Sequence, residues 1–597
     1  MLGPIFVREW LILPRNGRLQ VQRVAWMGLF WVIALTTWLS TAEWSRPGQY
    51  LDLSRLGPLI FQMFSLVQVV LLVFYAALAS ASAVALEKDR RTFLLLLITD
   101  LADREIVLGK IIGSILPLLT LPLASLPLMA LLVLTGGVGI WQVLAVTLLT
   151  WTAMVASGAL GGLMALWRER TFPALALTAL GVVLYLLIVR LTGFLPQPWG
   201  QAVSTVLDPF LALGLVLDPA TLILDRGGWL LAHLGWMAAL GCGLLGAGMV
   251  MLRVWNPSGE PIMQREVPDE APAEEVDRMR AHAAPGQIRH VVGNPILWRE
   301  THTRAYGRRP FLIQLGYLLV LGLILYGTLV PVLAGERFPF AAAYGLLPVL
   351  VLSLLLVAAQ AVTAITTEKD LGALDLLLVT DLTAGEFIFG KLLGIVRNTL
   401  LFIVPPLVLG AVYAAGGYLA TPPVRYPELG SSMNAMALLC LLGGLLVVFA
   451  FCMVLGIHIA LRSPTSRAAI LTALGSVFFL TVGTLVTIAL ILVNGRFEYQ
   501  WASFLAFLGA GIGGLWWVLN GDRPSSALTL ASWVCPLAVF YTAATVVVGK
   551  PGTGETGDPL IPFLVVAASF GFAITAMLVP LLSEFDVAMG RTSGGAD

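Results

Sequence analysis

Charged side chains are scarce in this chain of 597 residues, in which Lys, Arg, Asp and Glu together make up only 12%. Soluble proteins carry about 25% of these residues. Hydrophobic residues make up 58% of the chain, and the mean hydropathy is +0.91. Such a composition excludes a water-soluble globule, and it equally excludes disordered, fibrous and disulfide-rich secreted chains. The sequence therefore predicts an integral membrane protein.

Residues that carry chemistry are also few. The four cysteines, Cys242, Cys440, Cys452 and Cys535, lie in apolar segments without paired or metal-ligand spacing, and we interpret them as small core residues. The five histidines form no His-Glu-x-x-His pair and no Ser-His-Asp grouping. A net charge of +1 gives no reason to expect a nucleic-acid partner. We therefore predict no metal site and no enzyme activity of this chain's own.

Apolar stretches long enough to cross a bilayer recur along the chain. Those of the first half are residues 24–40, 58–86, 106–134, 141–165, 173–192 and 228–252. Those of the second half are residues 311–333, 344–367, 387–415, 435–461, 468–493 and 560–582. Two more, 502–519 and 527–548, are either extra spans or outer-leaflet segments that enter and leave on one side. The predicted fold is an all-α polytopic membrane protein of about 12 spans, or 14 if both extra segments cross.

A polar, proline-containing stretch separates the two sets of spans and is too polar to bury a core of its own. We divide the chain into a first transmembrane module (1–253), a cytosolic linker (254–290) and a second transmembrane module (291–597). Of the 35 basic residues, 25 fall in segments on the same side as the N-terminus. The positive-inside rule then places both termini in the cytoplasm, with the chain spanning the inner or plasma membrane of the cell.

An internal repeat is the most informative feature. Residues 87–113 and 368–394 share 13 identities over 27 positions without a gap, and four of the five lysines of the chain lie in these two copies. Residues 4–9 are echoed by 295–300. Because six spans separate the copies, both have the same orientation, which predicts two parallel modules related by an axis along the membrane normal.

The repeated segment holds a six-residue apolar run that is too short to cross a bilayer, with charges on both sides of it. One interpretation is a solvated hairpin whose charges only stop translocation. The other is a short helix on the inner membrane face. Retention of so many identities within one chain favours the second interpretation, in which both copies dock onto the same kind of partner surface.

Residues 368–380, followed by Gly390 and Lys391, resemble the coupling region of type-2 (export-type) ABC transporter permeases. The resemblance implies two tandem six-span modules, each with an interfacial elbow helix (4–13 and 295–306), a coupling helix between the second and third spans, and short outer helices such as 208–213. It also implies one permease chain per complex, embedded in membrane lipids, with two ATPase subunits docked on the coupling helices. ATP and Mg would be bound by those subunits, and this chain would bind no cofactor.

The residues that the resemblance assigns to ATPase coupling are Glu87, Lys88, Asp89, Arg91, Asp100, Glu105, Lys110, Glu368, Lys369, Asp370, Asp375, Asp381, Glu386 and Lys391. Both copies depart from the family, which usually has proline after the coupling threonine. The copies also differ from each other at 90–94 and 371–375. Two alternatives therefore stay open for the ATPase partners, namely two copies of one subunit or two different subunits.

Within the spans, Arg397 is a candidate pathway residue. The alternative is that it pairs with a carboxylate or extends its side chain to the lipid headgroups.

Residues 385–392 match a phosphate-binding P-loop except at the last position, where Ser or Thr is required. The segment opens a span, no strand precedes it, and the other copy has Arg104 in place of Gly385, so we reject it as a nucleotide site. Two alternatives to the permease stay open. One is an ion-coupled secondary carrier with parallel repeats, and the other is a membrane-embedded enzyme.

Overall fold

The computed structural model describes most of the chain. The described residues are 3–12, 17–41, 53–90, 92–194, 196, 199–218, 228–256, 293–302, 311–333, 341–370, 372–374, 382–415, 435–463, 465–494, 501–520, 525–548 and 559–588.

Helices account for nearly all of the described residues. In the first half they are α1 (Gly3–Ile12), α2 (Gly17–Thr41), α3 (Leu53–Asp89), α4 (Thr92–Ile98), α5 (Asp103–Thr135), α6 (Ile140–Trp167), α7 (Thr171–Leu191), α8 (Trp199–Leu207), α9 (Pro209–Leu217) and α10 (Gly228–Trp255), with a 3-10 turn at Thr192–Phe194. In the second half they are α11 (Pro295–His302), α12 (Phe311–Leu333), α13 (Ala341–Asp370), α14 (Ala384–Ala415), α15 (Ala435–Arg462), α16 (Ser466–Asn494), α17 (Trp501–Asn520), α18 (Ser526–Val548) and α19 (Leu560–Ala588).

Ten of the described helices are long and apolar enough to span a bilayer, and the chain is accordingly a membrane-embedded all-α protein. The ten are α3, α5, α6, α7, α10, α12, α13, α14, α15 and α19. Helices α2, α16 and α18 contain shorter apolar stretches, at Leu19–Leu35, Ser466–Phe478 and Ser526–Thr542. A helix satisfies its own backbone hydrogen bonds, which is why apolar segments adopt this structure in lipid.

The sequence-predicted spans all fall in helices, and ten of the twelve fall in the ten candidate spans, while those at 24–40 and 468–493 fall in α2 and α16. Each of the twelve lies within one helix, apart from the last residue of the fifth, Thr192, which begins the 3-10 turn. The predicted short helix at residues 93–98 is α4, and helices α1 and α11 cover the segments predicted as elbow helices except residues 13 and 303–306, which lie outside the described residues. The two ambiguous segments form single continuous helices, α17 and α18, of 20 and 23 residues.

Each half is built around its second long helix. Helix α3 packs against α5, α6 and α7, and α13 packs correspondingly against α14, α15 and α16. Helices α3 and α13 are the most buried of the ten candidate spans.

The two halves contact each other reciprocally. Helix α7 of the first half packs against α12 and α13, and α16 of the second half packs against α2 and α3. The halves differ before their last helix, where the first has the nine-residue helices α8 and α9 and the second has α17 and α18. Helix α17 also packs against α2, so the second half covers part of the first.

Candidate functional site

The two repeated segments lie at the same end of the bundle, where α3, α6, α13 and α15 finish and where α4 is found. We call this the α4 end. The repeated Glu-Lys-Asp sequence occupies the last turn of α3 in the first copy and of α13 in the second.

The lysine of this sequence binds the end of the fourth long helix in both copies. The Lys88 side chain donates hydrogen bonds to the backbone carbonyl oxygens of Leu166 and, at 3.0 Å, Arg168, where α6 ends. The Lys369 side chain donates to the carbonyl oxygen of Ser463 at 2.8 Å, just beyond α15. The last carbonyls of a helix lack partners within it and carry partial negative charge, so a lysine there is stabilising. The lysine therefore joins the second long helix of each half to the fourth.

The glutamate of the same sequence binds the third long helix in both copies. Glu87 forms an ion pair with Lys110 of α5. Glu368 forms the corresponding ion pair with Lys391 of α14, in which the lysine Nζ atom lies 2.7 Å from the glutamate Oε1 atom. The four repeated lysines thus have defined structural partners at the α4 end.

The second copy contains a larger charged network. The Lys391 ammonium also binds Glu300 of α11 at 2.5 Å and the backbone carbonyl oxygen of Ala364 at 3.1 Å. Arg299, next to Glu300, forms an ion pair with Glu368. Helix α11 is therefore joined to α14 by a buried ion pair and to α13 by a partly exposed one.

Arg299 and Glu300 were not among the sequence-predicted site residues. A signal for them was present, because the Arg-Glu pair at 299–300 repeats the pair at 8–9. Pairing across helices could not be deduced from that repetition alone.

Two repeated glycines explain how α1 and α11 approach so closely. A Cβ atom added at Gly109 would lie 2.8 Å from the Cβ of Ile5, and one at Gly113 would lie 3.1 Å from the Cγ of Glu9. Residues four apart share one face of a helix, and small residues in this spacing let two helices touch. The surface of α5 that receives α1 is therefore made by glycine.

The second copy has the same arrangement. An added Cβ at Gly390 would lie 2.8 Å from the Cβ of Ile296, and one at Gly394 would lie 2.6 Å from the Cβ of Glu300. Part of the identity between the copies is thus explained by helix packing.

The substitution Gly109→Val is expected to detach α1 from α5, at a cost of about 1–3 kcal/mol for the overpacked contact. Detachment of α1 can be measured as the rate at which maleimide labels a cysteine on that helix. The cysteine is introduced as Phe6→Cys in a chain whose four native cysteines are replaced. We expect labelling to be several-fold faster in the Gly109→Val chain. Gly28→Val is the control, because an added Cβ at Gly28 meets nothing within 4 Å. Equal labelling rates in the two variants would contradict the packing argument.

The aspartates of the two copies have different partners. Asp89 accepts a hydrogen bond from the hydroxyl of Thr171, the first residue of α7. Asp370 instead forms an ion pair with Arg90 of the first half, in which an arginine Nη atom lies 2.8 Å from the aspartate Oδ1 atom. The two copies are therefore alike at their glutamate and lysine and unlike at their aspartate.

Helix α4 lies against the end of α3 and has apolar residues on both of its faces. Phe93 and Leu97 are buried, and the ammonium of Lys88 lies 5.6 Å from the centre of the Phe93 ring. Leu95 and Ile98 are 64% and 69% exposed. One face of α4 thus fixes it to the bundle, and the other face is exposed.

Two repeated glutamates cap helices. The carboxylate of Glu105 accepts a hydrogen bond from the backbone N–H of Ala102 at 3.3 Å, where α5 begins. Glu386 accepts from the backbone N–H of Thr383 at 2.9 Å, where α14 begins. Caps of this kind satisfy backbone donors that have no partner within the helix.

The remaining candidate residues are placed as follows. Arg91, Asp375 and Asp381 lie outside the described residues, as does most of the segment predicted to be the second coupling helix. Asp100 is exposed just after α4. Arg397 is exposed on α14, and its assignment to a transport pathway stays a prediction.

Searches of protein-family models, curated proteins and solved structures find no match to this chain. The fold defines its class, which is the polytopic all-α membrane proteins. A more particular function has to be argued from the repeated residues and their geometry.

Proposed function

We propose that the chain is the transmembrane permease of an ABC transporter of the type-2, export-type family. Two six-span modules, fused in one chain, would form the transport path. Two separate ATPase subunits would dock on α4 and on the corresponding segment 371–383, and ATP hydrolysis by those subunits would drive transport, with export the expected direction.

The observation that carries the proposal is the repeated set of contacts around the Glu-Lys-Asp sequence. In both halves the glutamate joins the second long helix to the third, and the lysine joins the second to the fourth. Force applied between the second and third long helices would therefore move three helices together. A hairpin that only stopped translocation would need no such connections.

The proposal assigns the α4 end to the cytoplasm. Basic residues are concentrated there, and the positive-inside rule places such clusters on the cytoplasmic side. Both termini would then be cytoplasmic, and the chain would cross the cell membrane 12 times, or 14 times if α17 and α18 both span it. The lengths of α17 and α18, 20 and 23 residues, are sufficient for a crossing.

The exposed face of α4 provides a direct prediction. The double substitution of Leu95→Asp and Ile98→Asp is expected to weaken ATPase docking by roughly tenfold or more, because a buried apolar contact is worth about 1.5–3 kcal/mol per side chain. The fold should survive, since both side chains are already exposed. Val254→Asp is the control, because Val254 is 70% exposed at the same end but lies on α10. An equal loss of docking in the control would remove α4 as the docking element.

The proposal as a whole is tested by purifying the full chain from its native host in mild detergent. We expect an ATPase to co-purify and its hydrolysis rate to change when Glu87 or Glu368 is replaced by Gln. The proposal fails if no ATPase co-purifies and these substitutions change nothing. Uptake into liposomes driven by an ion gradient, without ATP, would favour the secondary carrier instead.

A further inference from the structure

We propose that charged contacts crossing between the halves form a latch that holds the bundle closed at the α4 end. The proposal rests on the transport function proposed above, because only a protein whose halves separate needs such a latch. The contacts themselves are independent of that function.

The first contact runs from the first half to the second. The guanidinium of Arg90, just after α3, pairs with the carboxylate of Asp370 at the end of α13 at 2.8 Å. The Asp370 side chain is only 6% exposed, so the loss of Arg90 would leave a buried carboxylate without this partner. Asp89 is also close enough to Asp370 to repel it electrostatically, which makes a neighbouring cation more important.

The second interaction is an electrostatic attraction that runs in the opposite direction. Arg467, near the start of α16, is partly buried and is attracted electrostatically to Glu9 and Glu87 of the first half. One carboxylate oxygen of Glu87 is buried and lacks a hydrogen-bond partner among the described residues. Burying such charges is tolerated only while opposite charges stay close. Separation of the halves would remove Arg467 from its carboxylates.

Aromatic residues continue the same seam away from the charges. The ring centres of Phe74 on α3 and Phe478 on α16 are 5.2 Å apart. Tyr75 lies beside Gly475, where an added Cβ would be 3.8 Å from the tyrosine ring. The seam is therefore closed by ring packing along its length and by charge at its end.

The two halves of the chain differ at the positions of Arg90 and Arg467, which supply the two cations. The position of Arg90 is Leu371 in the second copy, and Arg467 corresponds to Pro173 in the first. An arginine needed by every module for its own folding would be expected in both copies. Arginines found in only one copy are instead suited to joining the two modules.

The latch can be tested by cross-linking across the seam. Phe74→Cys and Phe478→Cys are introduced into the full chain with its four native cysteines replaced by alanine, and the two thiols are joined in liposomes by a short bifunctional maleimide. We expect the parent chain to cross-link readily, and the Arg90→Ala, Arg467→Ala double variant to cross-link about three- to tenfold more slowly, as expected for the loss of one partly exposed ion pair and a further charge attraction. Exchanging the charges, with Arg90→Asp and Asp370→Arg together, should restore the rate lost in Arg90→Ala alone.

The matched control is Arg253→Ala. It breaks an ion pair inside the first half, in which the Arg253 Nε atom lies 2.7 Å from the Asp103 Oδ1 atom. Cross-linking should be unchanged in this control. If the double variant does not elute as a single species in size-exclusion chromatography, the comparison is made between Arg90→Ala and the chain with Arg90→Asp and Asp370→Arg together. Unchanged cross-linking without the latch cations, or a charge exchange that restores nothing, overturns the proposal. No ATPase is present in the experiment, so the latch and the proposed transport function can fail separately.

Discussion

Replacing Lys391 by alanine is expected to destabilise the protein by about 3–5 kcal/mol, because it leaves buried carboxylates without their cation. The Lys391 side chain is 1% exposed and contacts both Glu300 and Glu368. Arg299 still pairs with Glu368 and, at 3.5 Å, with Glu300, but it is partly exposed and does not occupy the buried place of the ammonium between the two carboxylates. The measurement is the apparent unfolding temperature of the purified chain in detergent, which should fall by many degrees.

The repeat supplies a control for this prediction. Lys110 occupies the corresponding position in the first copy, but its side chain is 13% exposed and Glu87 is its ion-pair partner. Lys110→Ala should therefore cost clearly less, about 1 kcal/mol, as is usual for a partly exposed ion pair. Equal losses from the two substitutions would show that burial of the second network does not determine its strength.

Neutralising the lysine and the two glutamates of the network, with the partly exposed Arg299 left in place, provides a second control. Lys391→Met combined with Glu300→Gln and Glu368→Gln removes all three charges and should recover most of the stability lost in Lys391→Ala. Replacing a buried ionic network by neutral groups is often harmless, whereas removing one partner is not. A triple variant as unstable as Lys391→Ala would mean that the volume of the lysine matters more than its charge.

The sequence predicted the helices well because the membrane makes hydropathy decisive. A segment such as 387–415 has no other stable structure in lipid than a helix, and α14 covers it. The short helix α4 was also predictable, since a six-residue apolar run between charges can lie on a membrane face but cannot cross it.

The partners of the site residues were much less predictable. The identity of Glu87 with Glu368 indicated that this position matters, but not that each carboxylate binds the repeated lysine 23 residues further on. The two arginines of the proposed latch were not predicted as site residues, for the opposite reason. Arg90 and Arg467 belong to one copy each, and a comparison of the copies with one another favours only what they share.

Glycine was the signal whose meaning was least appreciated in the sequence. The glycines at 109, 113, 390 and 394 belong to the identities shared by the two copies, and in the structure they form the contact surfaces for α1 and α11. Helix association in lipid depends on close packing, because lipid is as apolar as the side chains themselves. Glycines within spans should therefore be read as candidate helix contacts from the start.

Among the described glycines, the closest contact with backbone atoms of a neighbouring helix lies between α3 and α6. A Cβ atom added at Gly161 would overlap the backbone carbonyl oxygen of Ala77 and lie 2.9 Å from its carbonyl carbon. A side chain could move aside to another rotamer, but backbone can yield only if the whole helix shifts. A glycine contact between α13 and α15 in the second half is looser, because a Cβ at Gly456 would first meet the side chain of Ala361 at 2.8 Å.

Gly161→Ala is accordingly expected to cost about 3 kcal/mol or more, at the upper end of the range for overpacked cores, although it adds a single methyl group. Gly456→Ala should cost less, and Gly243→Ala on α10, where an added Cβ meets nothing within 4 Å, should be neutral or slightly stabilising. All three are compared by their apparent unfolding temperatures in the same detergent. The order of the three effects is the informative result, since helix propensity alone would make every one of them stabilising. If Gly161→Ala were as stable as Gly243→Ala, then α3 and α6 would have to be further apart than the backbone contact at Ala77 requires.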